Sequence, residues 1–177
     1  MNSESNEQTN RNVEIKARTE DIKVLEERAT KIADSGPFVF DQEDTFFHSQ
    51  KGRLKLRKFS GTEGELIFYA RPNTTGPSQC RYILSPTTTP DALLQSLTES
   101  NGIKGVIRKR RILYLSGQTR IHLDEVENLG QYVELEVVLR PGQKKSEGIQ
   151  IANDMMEKLG ISEDQLIEKA YIDLLLG

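Results

Sequence analysis

Several separate stretches of this chain alternate apolar and charged residues with a strict period of two. In Asn12–Arg18, "NVEIKAR", Val13, Ile15 and Ala17 fall on one side and Glu14, Lys16 and Arg18 on the other. "RLKLRKF" sets Arg53, Lys55 and Arg57 against Leu54 and Leu56, and "QYVELEVVLR" sets Tyr132, Glu134 and Glu136 against Val133, Leu135 and Val137. Only an extended backbone brings every second side chain to one face, so these segments are strands with one apolar and one charged side.

The remaining segments fill in around them. "QEDTFFHS", "ELIFYAR" and "CRYILS" read as further strands, and "GVIRKRRILYL" and "QTRIHLD" as a hairpin turned at Ser116-Gly117. Ile22, Leu25, Ala29, Ile32 and Ala33 recur at helical spacing, with Thr19 as the expected N-cap and Gly36-Pro37 as the stop. A second helix opens near Pro90 and Asp91 and ends before Gly102. Two helices close the chain, one carrying Ala152, Met155, Met156 and Leu159, the other opening on the capping-box pattern Ser162-x-x-Gln165. About eight strands joined largely by short turns predict an α+β fold dominated by a largely antiparallel sheet closed on itself, or nearly so, with outer helices.

The chain has 177 residues and a formal net charge of −3. Its size suits a single domain, read over residues 11–177 behind a polar, disordered leader at 1–10. The acidic balance argues against nucleic acid as a partner, although "RKRR" at 108–111 is a local basic cluster. That cluster sits in an alternating strand, which sends Arg108 and Arg110 opposite to Lys109 and Arg111. No apolar run approaches the roughly 20 residues that span a bilayer. The one cysteine, Cys80, has no partner within the chain, so a reducing, cytoplasmic setting is expected, with a monomer or a homodimer equally compatible.

The charged faces pose the functional question. On an open sheet they would meet water. Here, however, basic strands and an acidic one stand apart, with Arg53, Lys55 and Arg57 on one, Lys109 and Arg111 on another, and Glu134 and Glu136 on a third. Charged residues recur on further strands, such as Arg120, His122 and Asp124. A small barrel would gather them in one interior, at high cost unless a polyanion, metal cations or water fill it.

At this point the residues resemble the CYTH superfamily, the triphosphate tunnel metalloenzymes. "NVEIK" resembles the Glu-x-Glu-x-Lys signature, and "GRLKLRK" the basic strand. "FYARP" resembles a Tyr-x-Lys-x-Pro segment, and "RKRRILY" the Lys-x-Arg strand. "RIHLDEVENLGQYVELEV" is similar to the Arg…Asp…Leu-Gly…Glu-x-Glu block, and "EKAYIDLLL" to the closing Tyr-x-x-Leu-Leu helix. The resemblance, over roughly residues 12–176, implies a closed eight-stranded antiparallel tunnel. It further implies a phosphate cradle of Lys16, Lys55, Arg57, Arg71, Lys109, Arg111 and Arg120. Glu14, Asp124, Glu134 and Glu136 would hold Mg²⁺ or Mn²⁺, and Lys16, Glu134 and Glu136 would carry catalysis.

Arginine forks and lysine ammoniums suit phosphate oxygens, and carboxylates suit hard divalent cations. The activity implied is metal-dependent hydrolysis of a small-molecule triphosphate: inorganic tripolyphosphate or a nucleoside or thiamine triphosphate. The alternative is cyclisation of ATP to cyclic AMP and pyrophosphate by a class IV-type adenylate cyclase. One departure motivates a third reading, a non-catalytic binder: Asn12 stands where the signature has its first glutamate. His48 and His122 have no partners at zinc spacing, and Cys80 is expected to pack rather than react.

Overall fold

The computed structural model describes residues 10–177, so residues 1–9 of the expected leader lie outside the described residues. Residue 10 already belongs to a strand. The elements run β1 (Asn10–Thr19), α1 (Ile22–Ile32), β2 (Ser35–Phe47), β3 (Arg53–Lys58), β4 (Gly64–Ala70), β5 (Ser78–Thr87), α2 (Pro90–Asn101) and β6 (Ile103–Ser116). They continue with β7 (Thr119–Val126), β8 (Gly130–Val138), α3 (Lys145–Leu159), a 3₁₀ turn (Glu163–Gln165) and α4 (Tyr171–Leu176).

The strands close into one antiparallel barrel in the order β1-β5-β4-β3-β2-β6-β7-β8. The first strand closes it against the last, pairing Glu14 with Glu136 and Lys16 with Glu134. Directly paired residues share a face, so the period-two charges of every strand turn inward together. The apolar faces point outward. Ile15, Ala17, Ile112, Tyr114, Ile121, Leu123, Val133 and Leu135 form a buried layer beneath Ile22, Leu25 and Ala29 of α1 and Met155, Met156 and Leu159 of α3. This inverts the usual oil-drop arrangement: the main hydrophobic core lies outside the barrel wall, under the helices.

Four local expectations change. Asp21, not Thr19, caps α1: its Oδ1 accepts from the backbone N–H of Lys23 at 3.1 Å and Val24 at 3.4 Å. Thr19 sits two residues earlier and accepts from the Asp21 N–H. Gly36-Pro37 does not stop the helix, which ends at Ile32; the pair lies inside β2. That strand starts well before the alternating "QEDTFFHS", because Phe38, Val39 and Phe40 pair with Leu113, Ile112 and Arg111 of β6. The Ser162–Gln165 box forms, with the Ser162 N–H donating to Gln165 Oε1 at 2.9 Å, but it opens only the single 3₁₀ turn. The chain then runs beside β1, where Leu166 bridges Ala17 and the Ile167 N–H donates to the Lys16 carbonyl. Pairing with a strand edge ends the turn, and helix resumes only at Tyr171.

α4 closes one end of the barrel. Tyr171 and Ile172, with Ala170, pack on Phe46, Ile107, Val126 and Tyr132. The register places Ser35, Lys58, Gly64, Ser116 and Thr119 at the other end, the mouth.

Candidate functional site: a charged barrel lumen

Lys16, Lys55, Arg57, Arg71, Lys109, Arg111 and Arg120 all line one cavity of about 190 Å³, together with Glu14, Glu134 and Glu136. They arrive from β1, β3, the end of β4, β6, β7 and β8, so no short segment of sequence contains the site. Asn12 lines the same cavity.

Each cation has an acidic partner within the wall. Asp44 accepts from Lys55 Nζ at 2.7 Å and from Arg57 Nε and Nη2 at 2.7 and 2.8 Å. Asp124 takes the Arg111 fork at 2.7 and 2.6 Å, Lys109 Nζ at 3.1 Å and the Tyr171 hydroxyl at 2.9 Å. Glu134 lies 3.0 Å from Lys16 Nζ and 2.7 Å from Arg111 Nη2. Looser pairs complete the set: Arg71 with Glu14 at 3.7 Å and Arg120 with Glu136 at 3.8 Å.

These partners divide into two kinds. Asp44 and Asp124 are fully buried and bridge two basic side chains each. Burial alone would push their carboxyls up, but Lys55 and Arg57 for the one, and Arg111 and Lys109 for the other, hold them well below the ordinary aspartate range. Asp124 therefore departs from the metal-ligand set in which the resemblance put it. Its oxygens are engaged, it does not border the cavity, and it serves as the counter-ion that fixes Arg111 and Lys109.

The glutamates differ. Burial and then the negative charge of Glu136 outweigh Arg71 and raise Glu14 to about 7. Burial likewise works against Glu134, yet Lys16, Lys109 and Arg111 keep it well below its usual value. Among the cations, burial and the neighbouring Arg111 draw Lys109 down to about 8 against the pull of Asp124. Burial and Arg111 also lower His122 against the pull of Glu136; its Nε2 lies 3.2 Å from Glu136 Oε2 without aligned hydrogen-bond geometry.

As they stand, no three His, Cys, Asp or Glu side chains among the described residues enclose an ion. The donor chemistry nevertheless suits a hard divalent cation. Glu14 and Glu136 face each other across the β1–β8 ladder, and their crowding, which raises Glu14, is what a cation would relieve. Asn12 Oδ1, next on the same face, is buried without a hydrogen-bond partner. Glu14, Glu134 and Glu136, supplemented by that amide oxygen, are the residues that would hold Mg²⁺ or Mn²⁺.

The sequence reading missed Asp44 and Tyr171, and gave no site role to His122, which lines the cavity. Asp44 carried a faint signal, since Gln42, Asp44 and Phe46 share a face, but an apolar and a neutral residue flank the single acid. Cys80, expected to pack, also borders the lumen, where burial and Glu14 push its thiol far up and keep it protonated.

Comparison with known proteins agrees with this architecture. The family model of the CYTH domain matches residues 10–171. A Methanocaldococcus jannaschii protein named "Putative adenylate cyclase MJ0240" is 25% identical over 171 residues, spanning 92% of this chain and 97% of that protein. The solved structure of PH1012 from Pyrococcus horikoshii superposes with a TM-score of 0.81 at 21% identity, covering 92% of this chain and 98% of that one. The Hippeastrum protein HpAC1, whose structure is described as revealing a dominant triphosphatase activity, superposes with a TM-score of 0.64 at 13% identity, covering 94% of each chain. With its barrel order, its inward charges and a family match over nearly its whole described length, this chain belongs to the CYTH domain family.

Proposed function

We propose that this protein is a divalent-metal-dependent phosphohydrolase acting on a triphosphate held in the barrel lumen. The observation that supports it is the convergence of seven basic side chains from several strands on one cavity, beside Glu14, Glu134 and Glu136. A triphosphate brings about four negative charges, and phosphoryl transfer needs chiefly positioning and charge stabilisation. Lys55 and Arg57, held by Asp44, and Lys109 and Arg111, held by Asp124, form two preset cationic pairs for phosphate oxygens. Lys16 joins them from β1, paired with Glu134 at 3.0 Å, and both line the cavity. A bound Mg²⁺ or Mn²⁺ would polarise the phosphoryl group and offset its charge. Glu134 and Glu136 are then the groups positioned to orient the attacking water.

A specific feature favours a second reading, cyclisation of ATP. Phe38 and Phe40 continue the lumen face of β2 toward the mouth, Phe40 opposite Arg111, and both are substantially exposed. Leu84 is exposed from the β5 side and lines the cavity. This apolar rim suits a base and ribose, and the name of the Methanocaldococcus relative goes with it. A non-catalytic binder is the third outcome, motivated by Asn12. The deciding experiment incubates the pure protein with Mg²⁺ or Mn²⁺ and a panel of triphosphates. Orthophosphate release supports hydrolysis, cyclic AMP with pyrophosphate supports cyclisation, and binding without turnover leaves a receptor. Among the described residues no helix is long and apolar enough to cross a membrane, and a cytoplasmic setting accompanies the proposal.

A further inference from the structure

α4 is short, yet it places one aromatic ring under two lysines from different strands. Tyr171 is buried, and its ring centroid lies 3.8 Å from Lys16 Nζ and 5.0 Å from Lys109 Nζ. Its hydroxyl donates to Asp124 Oδ2 at 2.9 Å, and its ring meets Tyr132 edge-on at 5.1 Å. The helix is anchored without the lysines: Asp173 binds Arg53 at 2.6 Å and Lys104 at 3.2 Å, and Ile172 is fully buried where β6 has only Gly105. The ring is thus held by contacts other than those to Lys16 and Lys109, whose ammonium groups sit over it.

An aromatic face has a property that a carboxylate lacks. It attracts an ammonium group through its quadrupole but carries no net charge, so it leaves the lysine's positive charge available to a ligand. Lysine needs such help, because its four-carbon stem is flexible where the arginine fork is preorganised. For Lys16 the point is sharper. Its ionic partner is Glu134, which the triphosphatase reading assigns to metal; once that carboxylate turns away, the Tyr171 ring and the Lys169 carbonyl at 3.5 Å are what remain.

We infer that Tyr171 is a positioning residue for the phosphate cradle, orienting Lys16 and Lys109 by its ring face. This rests on the triphosphate-binding reading above and adds to it that the C-terminal helix is part of the binding apparatus rather than only a plug.

The test compares the full-length wild type with Tyr171→Phe, which keeps the ring, and Tyr171→Leu, which keeps an apolar filling. Calorimetry gives the Kd for inorganic tripolyphosphate with Mg²⁺, and steady-state kinetics separate KM from kcat. Phe should stay within about threefold of wild type, whereas Leu should weaken binding about tenfold or more, mainly in KM. Equal losses in Phe and Leu, or none in Leu, overturn the inference.

Should the Leu variant not fold, the wild type still decides. NMR of its lysine ε-methylene protons should show one lysine shifted upfield by the ring, assigned to Lys16 by its loss in Lys16→Arg; ordinary shifts throughout overturn the inference. If the wild type binds tripolyphosphate but releases no phosphate, hydrolysis fails while the Phe–Leu comparison of Kd still decides. A wild type that binds no triphosphate ends both.

Discussion

Asp44 shows how the lumen is stabilised one residue at a time. Its buried carboxylate is the shared partner of Lys55 and Arg57, whose side chains are only slightly exposed. Asp44→Asn leaves two largely buried cations without their counter-ion and should cost about 3–5 kcal/mol at pH 7. The native carboxyl lies below its unfolded value, so its contribution is complete above the ordinary aspartate pKa of about 3.9 and lost as pH falls beneath that. Urea melts from pH 7 downward should show the gap between wild type and Asn constant to about pH 4, then narrowing. Asn12 gives the opposite case, a buried oxygen without a partner beside Glu14. Asn12→Glu should tighten Mn²⁺ binding measured by calorimetry, and Glu136→Gln should weaken it along with turnover; an unchanged Glu136→Gln would remove that residue from the metal role.

The inward face of Lys16, Lys55, Arg57, Lys109, Arg111 and Arg120 was legible because strand parity is local: every second residue faces one way whatever the barrel's size. Arg71, just past the end of β4, came only with the family resemblance. Tyr171 was not legible, since its placement depends on where a helix docks after the barrel has closed. Asp124 was half legible. Parity gave its face, but only the assembled wall shows Arg111, Lys109 and Tyr171 consuming its oxygens.

At the scale of elements, the helices are held by close approach as much as by capping. α3 crosses the wall at Gly148, where an added Cβ would lie 2.6 Å from Leu139 Cδ2 and 2.7 Å from Val13 Cγ2. Gly148→Ala gains about 1 kcal/mol in helix propensity but meets an overpacking penalty of about 1–3 kcal/mol, so a net loss is expected in the melting temperature. The strand pattern announced most elements, with boundaries misplaced where the pattern stops. "PFVF" before the alternating half of β2 has no period to read, because its Val39 faces away from the lumen while Phe38 and Phe40 line the mouth. The capping box at Ser162 was chemically correct, yet pairing beside β1 limited it to one turn.

For the whole molecule, the barrel interior is a network of ion pairs, and on the proposed function a triphosphate with its metal would exchange many of these for contacts of its own. Ligand that binds only the folded state should stabilise it, by about 2.7 kcal/mol at a hundredfold excess over Kd. Thermal melts with Mg²⁺ and tripolyphosphate together should rise clearly above those with either alone.

The docking of α4 onto Phe46, Ile107, Val126 and Tyr132 makes the chamber a cul-de-sac. On the proposed function, reactant and product would share the mouth opposite α4 among the described residues, and an internal stretch of a long phosphate polymer, which would need an exit to thread through, would be beyond reach. On that reading only a free terminus would fit, so a long polymer would be shortened from its tips and not cut in the middle.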